Sequence, residues 1–138
     1  MISHSLTHDD YDALASFRYA MRKFLSFSRQ ALAEKAQLTP EQYEALLAVK
    51  AFPSTAGVTI SDLSERMQIK HHTAVGVVDK LETLSLLERE PGVRDRRQVF
   101  LKLTPEGSRV LAKVAALHRE DLRARSSELI EALTRLQR

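Results

Sequence analysis

The sequence contains no cysteine. That absence removes disulfides, thiolate nucleophiles, cysteine-ligated zinc and thiol redox sensing together. Aromatic residues make up only 6%, and glycine and proline number four each, which argues against a strand-rich sandwich and a disordered tail alike. No apolar run approaches the roughly 20 residues that a bilayer span needs. The opening MISHSLTHDD has neither a basic start nor an apolar stretch, so no secretion signal is expected and the cytoplasm is the default compartment. A Gly-rich phosphate loop and a nucleophile elbow are both missing, and most acidic residues stand at helical spacing from basic ones, as on a solvated face. Neither an enzyme nor a bound cofactor is therefore expected.

What is present reads as one soluble, mainly helical domain of 138 residues, with 43% apolar residues to fill a core. The net charge of +3 is unevenly placed. From Arg66 to Lys102 there are eight Lys/Arg and five Asp/Glu, and the remainder holds 13 of each sign. A basic segment on an otherwise neutral body suits a polyanionic partner.

The period of the apolar residues lays out the elements. Thr7 can cap a long helix reaching about Ala36, with Asp9 and Asp10 in its first turn and a stripe of Tyr11, Leu14, Phe17, Met21, Phe24, Leu25, Ser28 and Leu32. Thr39, Pro40 and Gln42 form a capping-box start, with Leu38 and Tyr43 spaced as a hydrophobic staple, for a helix to about Phe52 that buries Leu46 and Leu47. PSTAG breaks it. Thr59 then caps a short helix carrying Leu63 and Met67, and another starts near His71 with Ala74, Val77 or Val78, Leu81 and Leu84 inward. A short helix, a tight turn and a longer helix form a helix-turn-helix pattern. After Leu87 the period falls to two. LLERE and QVFLKLT flank PGVRDRR, predicting a projecting hairpin with a basic tip whose buried face carries Val99, Leu101 and Leu103. Thr104 and Pro105 launch a second long helix, which Ser126 or Ser127 is expected to interrupt before a last helical segment.

The order of these parts carries the function. The leading turn of the second helix in such a pair can enter the major groove of DNA, and here it presents Lys70, His71, His72 and Thr73. Arg94, Arg96 and Arg97 crowd the hairpin tip, where an arginine can enter a narrow minor groove; Asp95 stands ready to hold a neighbouring guanidinium in a bidentate fork. A metal site built from His71, His72 and His118 is disfavoured, because adjacent helical residues point about 100° apart.

LTPEQYEALLAV, ISDLSERMQI, VVDKLETLSLLERE and above all RDRRQVFLKLT make the chain resemble the MarR family of transcriptional regulators over nearly its whole length. The resemblance implies a single domain over 1–138: a mainly α winged helix-turn-helix with a small β-hairpin wing. Its DNA-binding lobe would span about 38–104, and long terminal regions, about 7–36 and 105–138, would form a homodimer. It further implies that Arg97 enters the minor groove braced by Asp95, and that the dimer binds double-stranded DNA at an inverted repeat. It also implies a repressor released by a small aromatic or phenolic effector. Phe17, Phe24, Tyr43 and Phe100 are candidate pocket residues, although aromatics on an apolar stripe are more often plain core.

The chain departs from the family where Thr-Arg often occupies the recognition helix, since Val75 and Gly76 stand there. It departs again at Ser85, where a glycine usually precedes the first wing strand. The first departure moves the expected base reading toward His71, His72 and Thr73. It also leaves an alternative, a winged-helix interaction or dimerisation adaptor without base readout. An adaptor, however, has no need of three arginines at a hairpin tip.

Overall fold

The computed structural model describes residues 5–55 and 57–138. The elements run α1 (His8–Ala36), α2 (Pro40–Ala51), α3 (Ile60–Met67), α4 (His71–Thr83), β1 (Leu87–Pro91), β2 (Val99–Leu103) and α5 (Pro105–Leu136). This is the mainly helical winged helix-turn-helix that the sequence predicts, and it divides into two compact units.

The winged unit comprises residues 32–115. Local chemistry sets its boundaries. At α2 the Thr39 hydroxyl accepts from the Gln42 amide while the Gln42 side chain accepts from the Thr39 amide, and Thr59 and Asp62 repeat this reciprocal cap at α3. α3 ends on Gln68 in the left-handed conformation, which turns the chain into α4. Antiparallel β1 and β2 pair Leu87 with Leu103 and Pro91 with Val99 at the two ends of the register. Val58 bridges to Leu101, whose amide donates to the Val58 carbonyl at 2.7 Å. At the start of α5 the Thr104 hydroxyl donates to the Ser85 carbonyl and accepts from the Gly107 amide. Gly107 is required there because a Cβ would collide with the Leu86 carbonyl.

Leu32, Leu46, Leu63, Val78, Leu81, Leu87 and Val114 are fully buried in this unit and form one core with Leu38, Tyr43 and Leu101. Tyr43 is thus core rather than pocket lining. Several expectations need correcting. Leu47 and Leu84 are exposed, because Ala45 and Leu46 take the inward side of α2 and α4's inward side ends at Leu81. Val99 is also exposed, whereas Phe100 on the opposite face is half-buried and lies against Gly57. The segment bridging at Val58 covers part of the face that simple alternation assigns to solvent.

The helical unit comprises residues up to 31 and from 116 onward. Thr7 and Asp10 cap α1 reciprocally. Side chains of α1 and α5 meet in antiparallel order: Asp9 and Asp12 with Arg135, Lys23 with Glu128, and Ser28 with His118. His118 is buried, bonded through Nε2 to the Ser28 hydroxyl at 2.7 Å, with Phe24 and Phe27 edge-on to its ring. α5 is continuous, contrary to the expected break. Ser126 satisfies its hydroxyl by donating to the Arg123 carbonyl one turn back, and ion pairs Arg125–Asp121 and Arg123–Glu120 run along the same helix.

The face of α1 that this unit covers also differs from the expected stripe. Ala13, Ala20, Ser28 and Ala31 are buried, while Tyr11, Leu14, Met21 and Leu25 are exposed. α1 therefore carries two apolar stripes about one residue apart around the helix, and only one is covered within the chain. Among the described residues no helix is long and apolar enough to cross a membrane.

Candidate nucleic-acid interface

The first candidate surface is the leading turn of α4. α2 and α3 close their N-termini with side chains; α4 does not. Lys70 occupies its N-cap with extended backbone and makes no side-chain capping bond. The first-turn amides are left for an outside acceptor, in a position where the helix dipole favours negative charge. Lys70, His71, His72 and Thr73 are all exposed, while Ala74, Val78 and Leu81 anchor the other side of the helix in the core. Val75 is half-buried and Gly76 exposed.

The second surface is the hairpin tip. Gly92 closes it: its amide donates to the Gln98 carbonyl at 2.8 Å, and a Cβ there would collide with the Asp95 carbonyl. The Gln98 amide in turn donates to Asp95 at 3.1 Å. Within this turn Asp95 Oδ1 accepts from the Arg97 amide at 3.0 Å and from its Nε at 3.1 Å, and Oδ2 accepts from Nη2 at 3.2 Å. One carboxylate thereby fixes both the backbone and the plane of the guanidinium, in the fork that the spacing predicts. The Arg97 guanidinium holds the Asp95 carboxyl below the usual carboxylate range. Even so, the Arg97 side chain is 92% exposed, so the pair orients a cation without hiding it. Arg94 and Arg96 are exposed, and neither has an ion-pair partner among the described residues.

The structure adds one residue that the sequence reading overlooked. Arg89 on β1 reaches two carboxylates of α4, Asp79 at 2.8 Å and Glu82. It ties the wing strand to the candidate recognition helix, and hydrogen bonding to Asp79 raises its already high pKa. The available signal was the i, i+3 spacing of Asp79 and Glu82 on α4, with one arginine seven residues further on. His118 lies apart from this chemistry, bonded to Ser28 inside the helical unit. Among the described residues no group of three or more His, Asp or Glu is placed to hold a metal ion.

A model of the MarR family matches residues 36–98, the stretch that contains both candidate surfaces. Over this stretch the chain is similar to the MarR family. The transcriptional repressor MdtR of Bacillus subtilis is 34% identical over 83 residues, which is 60% of this chain and 52% of the relative. The chain spans about half the length of the curated relatives it matches. Among solved MarR-family structures, AbsC of Streptomyces coelicolor superposes with a TM-score of 0.76 at 26% identity, covering 97% of this chain and 90% of AbsC. The S. aureus MepR–DNA complex gives 0.71 at 22% identity, covering 91% and 86%, a likeness of fold.

Proposed function

We propose that this chain is a transcriptional regulator of the MarR type, a repressor, that binds an inverted-repeat operator as a homodimer and is released by a small aromatic or phenolic effector. In this reading residues of about 38–104 form the DNA-binding lobe, and the helical regions of about 7–36 and 105–138 pair between two copies. The leading turn of α4, Lys70 to Thr73, enters the major groove, with Lys70 and the uncapped amides on phosphate and His71, His72 and Thr73 toward base edges. Arg94, Arg96 and Arg97 carry the wing to the adjacent minor groove.

The observation that carries the reading is the Asp95–Arg97 fork on an exposed tip. An exposed ion pair contributes little to stability, so a carboxylate spent on orienting a solvent-facing guanidinium is better explained by recognition than by folding. The homodimer is supported by the uncovered stripe of α1 together with exposed Ile130 and Leu133 on α5. The effector rests on the family resemblance alone.

The test is anisotropy titration of the full chain with duplex from upstream of its own coding sequence, at rising salt. A regulator loses affinity with a log–log slope near −0.9 per neutralised phosphate, while random competitor duplex leaves the specific complex intact. A chain that binds no duplex, or binds every duplex equally, is the interaction adaptor instead.

A further inference from the structure

Gly76 stands in the interior of α4, on the side away from Ala74, Val78 and Leu81, and it is exposed. Glycine is among the poorest residues for a helix interior, because its backbone loses the most freedom when the helix forms. A helical glycine is usually explained by a neighbour pressed against its Cα. Here a Cβ would meet nothing within 4 Å, and the backbone does not lie in the left-handed region. The fold thus gains nothing from this glycine. His72 and Lys80 sit one turn before and one turn after it, both exposed, so the missing side chain leaves a notch between two polar residues on one face.

We propose that Gly76 is a specificity-determining residue, bare so that a base-pair edge on the floor of the major groove can come within van der Waals contact of the α4 backbone, between His72 and Lys80. The inference rests on the reading of α4 as the helix that enters the groove. It adds that, at this position, bases are selected by close approach of the helix backbone rather than by a long side chain.

The inference requires stability and recognition to move in opposite directions. Wild-type full chain first selects its preferred site from a pool of randomised duplexes. Gly76→Ala and Gly76→Leu are then compared with it by thermal melting, and by anisotropy on the selected duplex and on a scrambled one. Gly76→Ala is expected to raise Tm by roughly 2–4 °C. Its affinity for the selected duplex is expected to fall about 10-fold, and that of Gly76→Leu further, with binding to scrambled duplex, dominated by phosphates, within about 2-fold of wild type. Unchanged affinity of Gly76→Ala for the selected duplex overturns the inference and leaves the regulator reading standing. A lowered Tm overturns it too, since the fold would then need the glycine. If wild type selects no duplex at all, the underlying reading fails first, and does so visibly in the wild-type arm.

Discussion

The two units of this chain treat their apolar residues differently. In the winged unit the large aliphatics, Leu46, Leu63, Leu81 and Leu87 among them, are closed off from solvent within the unit. In the helical unit the deepest positions are Ala13, Ala20 and Ala132, while Tyr11, Tyr19, Leu25 and Ile130 remain more than half exposed. A periodic apolar stripe therefore states that a face is to be covered, and leaves open what covers it. The winged unit answers from within the chain. The helical unit has more apolar face than its own two helices can cover, as expected of half an interface.

The strongest way to break this contrast is to charge the uncovered face. Ile130→Asp combined with Leu133→Asp is expected to convert the proposed dimer wholly to monomer in sedimentation at micromolar concentration, with helical circular dichroism retained. A variant that still sediments as a dimer would move the interface elsewhere. Next in size, Leu63→Ala in the closed core should cost about 2–5 kcal/mol in denaturant unfolding, because the fully enclosed site cannot collapse around the lost methyls. The same truncation at exposed Leu25, made in the charged monomer, should cost well under that. Comparable losses would erase the distinction between the two faces.

Smaller effects test the surface of the winged unit. Arg97→Ala should weaken operator binding by about 1–3 kcal/mol with Tm nearly unchanged, since the side chain lies almost wholly in solvent; equal affinity would remove the wing tip from recognition. The smallest change expected is a gain. Ser85 holds a φ of 61° between α4 and β1, where a side chain is strained, and Ser85→Gly should stabilise by about 0.5–1 kcal/mol on thermal or urea unfolding. Loss of stability would mean that the Ser85 side chain contributes more than its backbone strain costs.

Much of the candidate site was legible because its determinants are local. Thr39 with Gln42 and Thr59 with Asp62 cap at a spacing that any reader of the chain can see, and the Asp95–Arg97 fork spans two residues of one turn. The leading turn of α4 was placed by the tight turn between two helices of apolar period. The Arg89 bridge was harder, because it joins a strand to a helix through residues seven and ten apart, and only the packing of β1 beside α4 brings the three charges together. The continuity of α5 through Ser126 was missed for a different reason. A serine can cap a helix or bond backward within one, and sequence spacing permits both.

By itself the sequence determined where α1 to α4 start, that a basic hairpin follows a helix-turn-helix, and that Asp95 can hold a neighbouring arginine, because capping, alternation and short-range ion pairing act over a few residues. Only the tertiary structure decided which of α1's two apolar stripes is covered, that Leu84 and Val99 face solvent, and that His118 is buried on Ser28. Those outcomes depend on which surfaces of distant segments compete for the same space, and no local pattern encodes the result of that competition.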